Sequence, residues 1–331
     1  MTDPARSFDD LPADERAAWL RLFAERALER YDLPSPSIEL ITDDWNGVFR
    51  VDAADGTRLV MRVSRPGRRT LDEVRGEMAW LAAIAAEGNL VVPVPRAARD
   101  GSLAVEARVE GVPQPRTVVI FGWIEGERLA TAMTERNLET YGEVAARLHA
   151  HASGFEPPAG MKTWDSPHPF LEPEVLFDEE QRQTLGPAGV ACFERARAST
   201  LEAIERLAVA EPPRMIHADL HEENAFVRVD GSIAMLDFDD CMLGWPVQDL
   251  GITVFELAAR EDFELLERAL RRGYERVAPW PERVPGEVRV FAADRCLMLS
   301  NYIVQDHDPK YRAEAPAYVG RWAARIDLLL G

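Results

Sequence analysis

Lysine is nearly missing from this chain: of 38 basic residues only Lys162 and Lys310 are lysine, and the rest are arginine. Positive charge is short altogether, with 38 basic against 57 acidic side chains and a net charge of −19. That balance excludes a general binder of nucleic acid or of anionic membranes, since both demand positive counter-charge. Cysteine is scarce, and Cys192, Cys241 and Cys296 are odd in number and widely spaced. Neither a disulfide framework nor a zinc site is expected from them, and a reducing compartment fits. No stretch approaches the ~20 apolar residues of a membrane span, and the start, from Met1 to Asp10, has neither the basic nor the apolar region of a secretory leader. Internal repeats and low-complexity tracts are missing as well. These absences read as a soluble, cytoplasmic protein whose 331 residues, 47% of them hydrophobic, suffice for one bilobal molecule with a sizeable core.

What is present concentrates in one run. His217-Ala218-Asp219-Leu220-His221-Glu222-Glu223-Asn224 is followed by Ile233 to Leu236 and then Asp237-Phe238-Asp239-Asp240. Between Asn224 and Asp237 lie two short alternating stretches, 225–229 and 232–236, joined by Asp230-Gly231. Asp-Gly is a favoured two-residue hairpin turn. Pairing about that turn sets Asn224 directly opposite Asp237 at the open end of the hairpin. Two oxygen donors brought together there, with Asp219 just upstream, suit a hard divalent cation that keeps waters and phosphate oxygens as its other ligands. The pattern points to phosphoryl transfer.

The same residues carry a resemblance. His-x-Asp-x-x-x-x-Asn followed by a strand ending in Asp resembles the catalytic and metal-binding arrangement of the protein-kinase-like fold. The Asp219-Leu220-His221 variant resembles the aminoglycoside/choline phosphotransferase superfamily, in the bacterial branch that holds type II homoserine kinases and stress response kinase A. The resemblance implies an α+β fold of two lobes, a small β-rich one and a larger helical one. It implies Asp219 as general base, Asn224 and Asp237 as ligands of Mg2+, and ATP as co-substrate, with GTP left open. His217 would support the loop, and His221 reads as structural. Asp249, near the start of a helix at Pro246, would bond the backbone of the catalytic loop. Asp239 and Asp240 either face a cationic acceptor, help the metal site, or are turn and surface acids.

Earlier in the chain, residues 11–31 have helical spacing through Trp19, Leu20, Phe23, Ala27 and Leu28. Pro34 and Pro36 end that helix, and strands follow at 38–41, 48–53 and 59–63. Asn46-Gly47 sits where the resemblance places a nucleotide-covering loop, although Asp43 and Asp44 have the wrong charge to face phosphate. Arg62 ends the third strand where kinase-like folds have a lysine, and Glu77 is its expected helix partner. Arginine keeps the charge but is longer and planar. Val74, Met78, Leu81 and Ile84 form that helix's buried stripe, with Glu77 beside it. After the apolar strand 116–121, Gly122, Trp123 and Ile124 begin a hinge whose backbone would meet the nucleotide base. A helix from Leu138 carries His149 and His151, which cannot share a metal from one face; a solvated or capping role is expected for both. Residues 153–187 read as an irregular insertion that helps line the acceptor pocket, and 195–207 as helix.

The expected organisation is an N-terminal helix packing on the small lobe (1–33), a nucleotide-binding lobe (34–121), a hinge (122–126), and a catalytic, acceptor-binding lobe (127–331). The expected reaction moves the γ-phosphoryl of ATP to a hydroxyl of a small molecule such as an amino alcohol, amino acid, aminoglycoside or sugar. The alternative is a protein Ser/Thr kinase like stress response kinase A. A non-catalytic nucleotide binder is a lesser one, favoured by Arg62 and the glycine-poor loop. A transition-metal hydrolase built on His217, Asp219 and His221 would leave Asn224 and Asp237 without a purpose.

Overall fold

The computed structural model describes residue 8 and residues 11–43, 45–112, 114–167, 174–305 and 309–331, with only the backbone at 184 and 309–312. Asp44, the residues before Phe8, and 168–173 of the expected insertion lie outside the described residues. Its contacts divide into two units. One comprises Met1–Glu125 with Pro157–Met161, the other Gly126–Glu156 with Lys162–Gly331. Among the described residues no helix is long and apolar enough to cross a membrane.

The first unit opens with α1 (Ala13–Leu28). It continues through β1 (Ser37–Thr42), β2 (Gly47–Asp52), β3 (Arg58–Val63), α2 (Leu71–Glu87), β4 (Val105–Ala107) and β5 (Arg116–Gly122). The strands form one antiparallel sheet in the order β1-β2-β3-β5-β4. Period-two burial along β2, with Phe49 and Val51 inside, gives the sheet an apolar face. Leu20, Phe23, Ala24 and Ala27 of α1 join that core with Met61, Val63, Val118 and Ile120. Each such fully buried large side chain contributes roughly 1.5–3 kcal/mol. Helix α2 starts at a capping box, in which Glu73 N–H donates to Thr70 Oγ1 and Thr70 N–H to the Glu73 carboxylate. It buries Val74, Met78, Leu81 and Ile84, and Glu77 with them.

The second unit contains β6 (Glu127–Arg128), α3 (Glu135–Ala152), α4 (Glu179–Ala210), β7 (Arg214–Ile216), β8 (Ala225–Val227), β9 (Ile233–Met235) and β10 (Met242–Gly244). Four helices follow: α5 (Pro246–Leu257), α6 (Phe263–Glu275), α7 (Glu287–Gln305) and α8 (Pro309–Leu330). Strands β6, β8 and β9 form one small sheet, and β7 pairs with β10 in another. Helices α3 and α6 meet through glycine: a Cβ at Gly142 would stand 2.2 Å from the Leu270 carbonyl oxygen, and one at Gly273 1.8 Å from that of Glu139. Helix α4 begins well inside the stretch expected to be irregular. It crosses Gly186-Pro187 by a kink in which Gly186 takes φ 67°, ψ 170°, a conformation open to glycine, ahead of a proline that cannot donate to the helix.

The hairpin register differs from expectation by one residue. Ala225 pairs with Met235, Phe226 with Ala234 and Val227 with Ile233, so Asn224 stands opposite Leu236, whose N–H donates to the Asn224 carbonyl at 2.8 Å. The loop is longer than the two-residue turn. Arg228 N–H bonds to Ser232 O and Gly231 N–H to Arg228 O, and of the loop residues only Gly231 has positive φ, at 80°. That is a three-residue loop closed by a left-handed glycine, with Asp230 Oδ1 accepting from Ser232 N–H and Oγ. Asp237 therefore lies one residue beyond the pair, itself turned into the left-handed region at φ 58°.

Candidate active site

In the second unit the segment leaving β7 is held from beneath by α5. Asp249 Oδ1 accepts the Ala218 N–H at 2.7 Å and Oδ2 the His217 N–H at 2.9 Å. One turn along the same helix face, Thr253 Oγ1 donates to the Leu220 carbonyl at 2.7 Å. The clamp forces Ala218 to φ 63°, a region that costs a non-glycine residue roughly 1–2 kcal/mol.

His217 is fully buried. Its Nε2–H donates to Leu236 O at 2.8 Å, and its Nδ1 accepts the Asp219 N–H at 3.3 Å. This is the neutral tautomer, and burial pushes its pKa below the ordinary value. His149 corrects an expectation. It is neither solvated nor a cap but buried, with Nε2 3.0 Å from Asp249 Oδ2 and Nδ1 3.0 Å from the Tyr274 hydroxyl. A buried imidazole needs partners at both nitrogens, and here α5 and α6 provide them.

The Asp219 carboxylate is gripped at both oxygens. Arg295 Nη2 donates to Oδ1 at 2.6 Å. Oδ2 receives Asn224 Nδ2 at 2.8 Å and His221 Nε2 at 3.1 Å. Burial opposes ionisation, but Arg295, and after it the bond from His221, hold this carboxyl well below the usual carboxylate range. The His221 imidazole shifts the other way, burial lowering its pKa and the Asp219 carboxylate lifting it above the ordinary value. The Asp240 carboxyl is pushed up to about 8 by burial and then by Asp219, Asp239 and Asp237.

The donor set fits a hard cation. Asn224 commits its amide nitrogen to Asp219, which leaves its amide oxygen as the donor for an ion. Asp237 is exposed next to it in sequence order beyond Leu236, and crowded carboxylates surround Asp240. Among the described residues no three His, Cys, Asp or Glu side chains converge as a ready-made cage. Two protein oxygens are the usual share for magnesium, which retains waters and phosphate oxygens. His217, Asp219 and His221 do not form a ligand face, since β7 ends at Ile216 and His221 is bonded to Asp219 itself.

In the first unit, Arg62 forks onto Glu77, Nη1 to Oε1 at 2.9 Å and Nη2 to Oε2 at 2.6 Å, with both residues buried. A second guanidinium, that of Arg69, also reaches Glu77 Oε2, at 2.7 Å. Both guanidinium groups thus meet on one carboxylate. Asn46 Oδ1 accepts the Arg65 N–H at 3.1 Å, tying the loop before β2 to the segment after β3. Trp45 of that loop lies under the Arg68 guanidinium, 4.1 Å from ring centroid to Cζ. Gly47 has a packing reason to be glycine: a Cβ there would stand 2.8 Å from Leu20 of α1. At the end of β5, Gly122 N–H donates to Val94 O and Trp123 N–H to Arg58 O. The Ile124 N–H has no such partner among the described residues.

Sequence reasoning missed Arg295, Arg69 and Thr253. Arg69 lies eight residues before Glu77 and ahead of the start of α2 at Leu71, outside the three- and four-residue spacing of a charge-pair argument. Nothing local marked Arg295, which is 76 residues from Asp219.

The model of a phosphotransferase enzyme family matches residues 37–284. An uncharacterized protein of Deinococcus radiodurans is 33% identical over 226 residues, 68% of this chain and 63% of its own length. Amicoumacin kinase of Bacillus subtilis is 24% identical over 236 residues, 70% of this chain and 66% of its own. The chain thus spans slightly less than two thirds of the length of each curated relative. Among solved structures, a microcompartment-associated aminopropanol kinase superposes with a TM-score of 0.75 at 24% identity, covering 93% of this chain and 96% of that one. An amicoumacin kinase in complex with AMP-PNP, Ca2+ and Ami gives 0.74 at 16% identity, covering 93% and 92%. These likenesses show a shared kinase-like fold.

Proposed function

Since the chain belongs to the phosphotransferase enzyme family, we propose that it is a kinase that moves the γ-phosphoryl of ATP, with magnesium, to a hydroxyl of a small molecule. The observation that supports this reading is the fixed carboxylate of Asp219, bonded to Asn224 at the open end of the hairpin. Asp219 orients the acceptor hydroxyl and takes its proton as the oxygen attacks phosphorus. Asn224 and Asp237 hold Mg2+, which when bound neutralises charge on the phosphates. Asp249 and His217 are scaffold residues that set the loop's backbone. In the first unit, Arg62, kept in place by Glu77, serves the phosphates, Asn46 and Gly47 belong to the covering loop, and the hinge residues Gly122, Trp123 and Ile124 meet the base. Of these three, Ile124 has the N–H without an internal partner among the described residues. Asp239 and Asp240 face the acceptor; the carboxylates crowded around Asp240 favour an acceptor that carries an amine, whose positive charge would help Asp240 ionise. The names of the relatives, aminopropanol kinase and amicoumacin kinase, support an amine-bearing acceptor.

The test is transfer of radiolabelled γ-phosphate from ATP to aminopropanol and to a panel of amino alcohols and aminoglycosides, with magnesium present and chelated. Metal-dependent label on a small molecule supports the reading. Label only on the protein itself or on casein would replace it with the protein-kinase alternative. Nucleotide binding with no transfer to any acceptor would leave a binding protein.

A further inference from the structure

Helix α7, for which the sequence suggested no role, brings a cation onto the proposed base. Arg295 and Asp219 are both largely shielded, 13% and 18% exposed, and lie 2.6 Å apart. The contact occupies one of the five N–H groups of a guanidinium. Arg295 Nε is buried without a hydrogen-bond partner, and no second acceptor for this guanidinium is found among the described residues. Unpaired buried donors are unfavourable and call for an explanation. Orienting Asp219 does not supply it, because His221 and Asn224 already fix the other carboxylate oxygen.

Charge supplies a better one. Asp219, Asp237 and Asp239 all act on Asp240, so a phosphoryl group approaching Asp219 enters a field of carboxylates. Arg295, bonded to Asp219, brings a permanent positive charge to this cluster. Phosphoryl transfer proceeds through a transition state whose charge lies on the equatorial oxygens, and donors aimed at them account for much of the acceleration.

We propose that Arg295 is a further catalytic residue: its uncommitted N–H groups bind the equatorial oxygens of the phosphoryl group in transit to the hydroxyl at Asp219. The inference rests on the phosphotransferase reading above. In the step, the bond from the γ-phosphorus to the β,γ-bridging oxygen breaks and its electron pair leaves with ADP. The bond from the hydroxyl oxygen to phosphorus forms, and the hydroxyl proton passes to the Asp219 carboxylate. Arg295 neither gives nor takes a proton.

The experiment compares two probes on the full chain, in wild type, Arg295→Lys and Arg295→Ala, so that no acceptor need be known. AMP-PNP with magnesium reports ground-state binding. ADP with magnesium and aluminium fluoride mimics the planar group in transit, with water in the acceptor position. Arginine residues in this role elsewhere are worth about 10³–10⁵ in rate. Arg295→Ala is therefore expected to lose about a hundredfold or more of its affinity for the mimic, while AMP-PNP affinity stays within about twofold. Arg295→Lys should recover part of the loss, and it carries the test if the alanine protein fails to fold. Unchanged affinity for the mimic, or equal loss on both probes, overturns the inference alone. A wild type that binds neither probe overturns the phosphotransferase reading and this inference with it.

Discussion

The side-chain amide of Asn224 donates to Asp219 twice, to Oδ2 at 2.8 Å and to the backbone carbonyl at 3.1 Å. Under the proposed function, one residue thus links cation binding to the orientation of the base, while Asp237 serves the ion.

Asp237→Ala is therefore expected to weaken only the magnesium-dependent part of ATP affinity. Asn224→Ala should weaken that part and also release Asp219. Calorimetric titration of ATP with and without magnesium separates the two. An Asp237→Ala protein with unaltered affinity in both conditions would move the metal site elsewhere.

Asp219→Asn retains the shape of the carboxylate and removes its basicity. Turnover should fall by about 10²–10⁴-fold, the usual contribution of general-base catalysis, with ATP affinity nearly intact. Full activity in this variant would sink the assignment.

Glu77 is fully buried and pairs with the buried guanidinium of Arg62 and the partly buried one of Arg69. Truncating one partner of a buried ion pair costs about 3–5 kcal/mol because the remaining charge is stranded, and Glu77→Ala should destabilise the protein on that scale in chemical denaturation. Arg62→Lys should fold normally, since Arg69 still pairs with Glu77, and should keep near-normal or improved activity. Loss of folding in Arg62→Lys would instead mark the arginine as structural.

His217 yields a pH dependence. Burial depresses its pKa from the ordinary 6.5, so below that value the unfolded chain binds the proton more readily than the folded one. Its contribution to stability is complete above pH 6.5 and is lost as pH falls towards the folded pKa, by up to ~1.4 kcal/mol per pH unit. His221, whose pKa is raised, contributes with the opposite sign. The difference in denaturation midpoint between wild type and His217→Gln, followed from about pH 7.5 to 5.5, isolates the first group. It should narrow as the medium becomes more acid, and a constant difference would mean that His217 is not buried as the neutral base.

Much of the site was legible because its order along the chain is nearly its order in space. The run from His217 to Asp240 spans one loop and one hairpin, and β2, which pairs with the strand of Arg62, follows period-two alternation. The register error arose where two turns compete for the same Asp-Gly pair. Either a two-residue turn or a three-residue loop closed by glycine satisfies the sequence, and only the backbone angle at Gly231 decides. His149 was misread for a different reason: its partners Asp249 and Tyr274 are 100 and 125 residues away, and an isolated helical histidine carries no sign of them. Arg295 is one of 36 arginines and lies beyond residue 284, where the family match ends.

Arginine at position 62 also determines how this protein can be detected. Reagents that acylate an amine beside a bound nucleotide need a lysine, and the first unit contains none. A guanidinium stays protonated and does not attack such reagents. With Arg62 serving the phosphates as proposed, surveys that capture kinases through a nucleotide-site lysine would pass this protein by, whereas dicarbonyl reagents selective for arginine would be the chemistry suited to tagging it.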